Sequence, residues 1–294
     1  MPSYPFMQVD AFTDRPLGGN PCAIIFDCDD LPAETMLAIA REMNLSETAF
    51  VWKKPDGHFR ARYFTPAEEI PLAGHPTIAT VFALVETGRL RVDSYLKIPL
   101  ELRDGPIDVE IFTQNGKVER VVMSQRRPQF LRIYSPDEAL PAFGLSPADL
   151  LPAACIQTVS TGTPQLFIPL NNLDCLRRAQ VDMQKFADLR QNGDFFSVHP
   201  FCLQGVERGQ TFARHFALLP DIAEDPFTGS ATGGMAAYLW HYGLLASPTF
   251  LAEQGHWMQR PGIGFVEVIG SRENIETVKV GGGAVTVLRG ELSL

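Results

Sequence analysis

The chain has 294 residues, enough for two domains of about 150 each. Its 45% hydrophobic and 20% charged content belongs to a globular protein with ample core material, and a mean hydropathy of -0.01 without a long apolar run excludes a membrane span. A net charge of -9 argues against nucleic acid and anionic membranes as partners, both of which call for clustered lysine and arginine.

The N-terminal MPSYPFMQVDAF lacks the basic start and apolar core of a signal peptide. Five cysteines (Cys22, Cys28, Cys155, Cys175, Cys202) make no C-x-x-C pair, and the six histidines never fall in H-x-x-x-H spacing. Reduced thiols, a cytoplasmic location and no metal site are therefore expected.

Phe6–Phe12 and Cys22–Phe26 read as strands, the second short and buried. Ala33–Met43 has helical apolar spacing and follows Pro32, a good first-turn residue. Ala49–Trp52 and Phe59–Phe64 alternate like a hairpin around Pro55-Asp56-Gly57. Pro76–Val85 is apolar on nearly every face and predicts a helix buried on all sides, stopping before Gly88. Asn115-Gly116 marks a turn and Ala284–Leu288 a last strand.

The second half repeats this grammar. Gly19-Asn20-Pro21 before CAIIF is echoed by Gly162-Thr163-Pro164 before QLFIP, and Arg62-Tyr63-Phe64 by Arg214-His215-Phe216. Each is followed by an acidic pair, Glu68-Glu69 or Glu224-Asp225, and then by a glycine-led start of an apolar helix. Four features in one order imply a duplicated strand–helix unit and two similar lobes with a ligand cleft between them. The expected lobes are residues 1–118, completed by the C-terminal strand 284–294, and residues 119–283.

Two glycine-led helix starts, Gly74-His75-Pro76 and Gly229-Ser230-Ala231, carry the functional argument. A helix start exposes unpaired N–H groups and a partial positive charge, which hold an anion without lysine or arginine. Such an arrangement suits chemistry in which negative charge develops beside a carboxylate. Residues 228–234 are neither a P-loop nor a G-x-S-x-G elbow; the plain alternative is a capping Thr or Ser with glycines for close packing. The proton-transfer candidates are His75, Asp225 and Glu47. Each also has an ordinary reading: a capping or core histidine, a turn former before Pro226, and a solvated strand end.

The stretches VDAFTDRPLGGNPCAI, NLSETAFV, ARYFTPAEEIPLAGHPTIAT and EDPFTGSATGG closely resemble the phenazine-biosynthesis isomerase-like (PhzF-like) family, which shares its fold with diaminopimelate epimerase. The resemblance spans both halves of the chain. It implies an α+β protein of two pseudo-symmetric lobes, each a curled mixed sheet around a central helix, with no cofactor. It also implies a homodimer acting on a small anionic substrate.

In the epimerase branch two cysteines stand at the two helix starts. Here the matching positions are Ala73 and Thr228, so two-thiol racemisation is not expected. The isomerase branch uses a glutamate, and Glu47 falls on that position. By the same resemblance His75 and Asp225 contact the substrate's polar groups, and the backbone of Gly74, Gly229 and Ser230 holds a carboxylate or developing anion. Asn20 lines the cleft. The implied activity is a cofactor-independent proton shift; a non-catalytic binder, and a lyase or one-base epimerase with the same cleft, are the alternatives.

Overall fold

The computed structural model describes residues 2–218 and 223–294. In chain order the first elements are β1 (Ser3–Ala11), β2 (Asn20–Phe26), α1 (Ala33–Met43), β3 (Glu47–Lys53), β4 (Phe59–Phe64), β5 (Glu69–Ile70) and α2 (Gly74–Glu86). Then come β6 (Tyr95–Leu102), β7 (Gly105–Gln114), β8 (Lys117–Ser124), β9 (Gln129–Tyr134), α3 (Pro136–Ala139), β10 (Ile156–Ser160) and β11 (Pro164–Leu170). They are followed by α4 (Leu173–Arg178), α5 (Met183–Gln191), β12 (Ser197–Cys202), β13 (Thr211–Ala213) and α6 (Gly229–His241). The chain ends with β14 (Thr249–Gln254), β15 (Gly262–Gly270), β16 (Ile275–Gly282) and β17 (Ala284–Ser293).

The chain divides into two compact units, residues 1–124 with 281–294, and residues 125–280. Position 118 lies inside β8, so the first unit runs a few residues past the Asn115-Gly116 turn. That turn joins β7 to β8, both its residues at positive φ (54° and 74°), as a tight hairpin requires.

In the first unit β1 and β2 form an antiparallel hairpin, β3 runs parallel to β2, and β4 returns antiparallel. The Pro55–Gly57 turn closes the β3–β4 hairpin, with Gly57 at φ 90°. β6 pairs parallel with β4, β7 and β8 extend the meander, and β17 lies antiparallel along β1. The sheet curls around α2, which packs against β1, β2, β3, β8 and β17. Every residue of α2 from Gly74 to Leu84 is buried, which explains its apolar surface on all faces. α1 instead buries one stripe, Met36, Ile39 and Ala40, and ends on Asn44 in the left-handed region, whose N–H bonds to Ala40 O at 3.1 Å. Pro32 stands just before α1 in extended conformation rather than in its first turn.

The second unit has the same build. β9 pairs antiparallel with β10, β10 with β11, β11 runs parallel to β12, and β13 returns antiparallel. β14 is parallel to β13 and β15 antiparallel to β14. Its central helix α6 packs against β10, β11 and β15 and is buried at Gly229 and from Ala231 to Leu239.

The echo also reaches individual side chains. Arg62 grips Glu69 through two bonds of 2.8 and 2.7 Å, and Arg214 grips Glu224 through two of 2.8 Å. Such forked pairs fix geometry as well as charge. One turn into each central helix a threonine hydroxyl bonds back to the carbonyl of the residue before the helix: Thr77 to Ala73 at 2.8 Å, Thr232 to Thr228 at 2.9 Å.

Candidate active site

In the first unit, β2 and β3 are parallel and in register from Cys22↔Glu47, so both begin at one edge of the sheet. Asn20 opens β2 and Glu47 opens β3. Gly74 and His75 are the first two residues of α2, whose preceding residue, Ala73, is extended (φ -144°, ψ 146°) and contributes no side-chain cap. The fold thus brings Asn20, Glu47, Gly74 and His75 together from three separate elements.

His75 is the centre of this group. Its ring is buried, and burial pushes its pKa down to about 3 against the opposing pull of the Pro21 carbonyl, so the imidazole is neutral at physiological pH. Asn20 Nδ2 lies 3.0 Å from His75 Nδ1, and Ser46 Oγ donates to Asn20 Oδ1 at 3.4 Å, so the Asn20 amide is held between the serine and the ring. On the other side of the ring, His75 Nε2 faces Glu47 Oε2 at 3.2 Å, close but without the alignment of a full hydrogen bond. The His75 side chain is 4% exposed and that of Glu47 19%, so the carboxylate alone reaches solvent. Below them the neighbouring Cys22 thiol is pushed well up by burial and by the Glu47 charge; it is no nucleophile.

The second unit assembles Asp225, Thr228, Gly229 and Ser230 at the start of α6. Thr228 occupies the capping position but does not cap: its hydroxyl donates to Asp225 Oδ2 at 2.5 Å. Three glutamines hold this start. Gln125 Nε2 donates to Gly229 O at 2.8 Å, Gln165 Nε2 to Ser230 Oγ at 3.3 Å, and Gln254 binds the 225–228 segment. The first two glycines of the helix interior are close-approach positions: a Cβ on Gly233 would meet Gln125 Oε1 at 1.9 Å, and one on Gly234 would meet Phe167 at 2.6 Å. None of the glutamines stands out in the sequence, because a side chain reaching a partner dozens of residues away leaves no periodic signal.

Asp225 N donates to the carbonyl of His215, whose ring lies 3.1 Å, Nδ1 to Nδ1, from that of His199. Both rings are buried. Burial lowers both pKa values, His215 to about 3 and His199 well below the usual imidazole range, where the neighbouring His215 also contributes. Ala73 and Thr228 thus occupy equivalent places before the two central helices, and all five cysteines are free thiols elsewhere. Among the described residues no group of three or more His, Cys, Asp or Glu is arranged to hold a metal ion, and no helix is long and apolar enough to cross a membrane.

The family profile described as phenazine biosynthesis-like protein matches residues 9–290. The chain belongs to this PhzF-like family. Over 98% of its length it is 34% identical to a trans-2,3-dihydro-3-hydroxyanthranilate isomerase of Pseudomonas fluorescens, covering 99% of that protein. A PhzF-family crystal structure from Bacillus anthracis superposes with a TM-score of 0.89 at 32% identity, covering 100% of both chains. A hydroxyproline epimerase from Agrobacterium vitis shares the fold alone, at 10% identity and a TM-score of 0.68 over 99% of this chain and 93% of that one. The PhzF-like chain is an α+β isomerase with the epimerase-type fold.

Proposed function

We propose that this PhzF-like isomerase relocates a proton on a small carboxylate-bearing substrate, with Glu47 taking the proton from one carbon and returning it to another. The observation that carries this reading is the Glu47 carboxylate 3.2 Å from Nε2 of a buried, neutral histidine at an uncapped helix start. A general base must present an acceptor that reaches solvent while its other face is fixed, and Glu47 meets that requirement. In this reading His75 carries its proton on Nε2, close to Glu47 Oε2, and the N–H is available to a substrate oxygen as charge develops there. Asn20 is wholly buried and acts by holding the His75 ring in that tautomer. In the first unit the first-turn amide at Gly74 is offered to an anionic group of the substrate. In the second unit, taken by itself, the first-turn amides at Gly229 and Ser230 offer an anion site of the same kind, beside an Asp225 carboxylate suited to a polar or cationic group.

The substrate we propose is trans-2,3-dihydro-3-hydroxyanthranilate or a close analogue, on the strength of the relative's name. Its carboxylate suits a helix start of this kind, and its amino group suits a carboxylate such as that of Asp225. Turnover of this compound in heavy water should place deuterium on carbon. Glu47→Gln should lower kcat by about a thousand-fold or more, within the range that a positioned acid–base group supplies, while the melting temperature stays near wild type. A folded Glu47→Gln enzyme with full activity refutes the assignment.

A further inference from the structure

β14 ends in two adjacent buried polar residues, and both are committed to main chain. Glu253 accepts N–H groups from Val206, Glu207, Arg208 and Gly209 at 2.5 to 3.0 Å, which lock the 206–209 loop onto the strand. Gln254, 1% exposed, turns the other way. Its Oε1 accepts from Thr228 N at 3.1 Å, while its Nε2 donates to Asp225 O at 2.7 Å and lies 3.3 Å from Thr228 Oγ1.

The next residue, Gly255, is left-handed (φ 84°), and a Cβ there would come within 2.4 Å of both Pro226 O and Arg260 O. The strand end is therefore clasped against residues 225–228 by side chain and backbone alike. The direction of the side-chain chain follows from chemistry. An amide NH₂ can only donate, so Thr228 Oγ1 accepts from Gln254 and its own proton is left for Asp225 Oδ2, 2.5 Å away.

We propose that Gln254 is a positioning residue for Asp225, holding the Thr228 hydroxyl so that its proton stays on the Asp225 carboxylate and keeps that carboxylate aimed for substrate. The inference rests on the reading of Asp225 as a substrate contact. It also explains why this buried position carries an amide. A glutamate of the same length replaces the donor with a second acceptor, which competes with Asp225 for the Thr228 proton. A methionine removes the orienting donor without adding charge.

The test is the side-chain carboxyl ¹³C spectrum of the full chain labelled on aspartate, with Asp225→Asn identifying the Asp225 resonance. Loss of a hydroxyl donor destabilises the ionised carboxylate, so its titration midpoint should rise by about one pH unit in Gln254→Glu and in Thr228→Val. It should rise by less in Gln254→Met and stay in place in Thr228→Ser, which keeps the hydroxyl. An Asp225 resonance that titrates as in wild type in folded Gln254→Glu or Gln254→Met overturns the proposal. Should the glutamate variant not fold, the methionine and threonine variants decide alone. Turnover of trans-2,3-dihydro-3-hydroxyanthranilate separates the two readings. The expected result is a KM about ten-fold higher in Thr228→Val, with kcat little changed. A shifted resonance with unchanged KM retains the positioning and removes Asp225 from substrate binding.

Discussion

Three of the six histidines, His75, His199 and His215, are buried as neutral rings, and this makes the protein acid-sensitive in a calculable way. In the unfolded chain each ring titrates near 6.5, whereas in the folded chain burial holds its pKa far below that value. The unfolded state therefore binds more protons between about pH 6.5 and about pH 3, so stability is whole above the upper limit and falls as pH drops through the window. At pH 5.5 the unfolded state gains about 1.4 kcal/mol per histidine, and about 4 kcal/mol for all three, while a free carboxylate is still almost fully ionised.

Urea unfolding at pH 7.5 and at pH 5.5 measures the difference directly. If the units unfold in separate transitions, the first should lose about 1.4 kcal/mol (His75) and the second about 2.8 (His199 and His215). His75→Gln removes one titrating ring and should shrink the gap by about 1.4 kcal/mol. A gap below about 1.5 kcal/mol in total, or one untouched by His75→Gln, refutes the buried-neutral assignment.

Two glycines give sharper local tests. Gly19 sits at φ 52° between β1 and β2, and an added Cβ would lie 2.0 Å from Ala11 O, so Gly19→Ala should cost about 3 kcal/mol or more in urea unfolding and, by moving Asn20, lower activity as well. Gly233→Ala should push the Gln125 side chain off Gly229 O and destabilise by about 1–3 kcal/mol. Because the obstacle is a flexible side chain, Gly233→Ala combined with Gln125→Ala should be more stable than Gly233→Ala alone; equal or lower stability would show that the obstacle lies elsewhere.

Local patterns carried a large share of the fold. Ala33–Met43 is helical over the span its apolar spacing predicts, and Phe59–Phe64 is a strand over its alternating run, because one-sided burial writes itself into sequence at the element's own period. The helix at Pro76–Val85 begins two residues earlier, at Gly74, since glycine and histidine fit the first turn and Pro76 needs no N–H bond there. The duplicated Arg-x-Phe and acidic pair was visible as letters. That both arginines fork onto one member of the pair, Glu69 and Glu224, emerged only in three dimensions.

The sequence by itself determined the class of the protein: an apolar run marked the buried helix α2, one-sided spacing marked α1, and the motifs carried the family. Tertiary structure alone decided which groups meet. His75 and Glu47 face each other because β3 and α2 both start beside β2, and Gln254 reaches Thr228 because β14 ends against the start of α6. A local period records which face of an element is buried. It does not record what that face meets, since the partner is chosen by strand pairing and helix packing across distant parts of the chain.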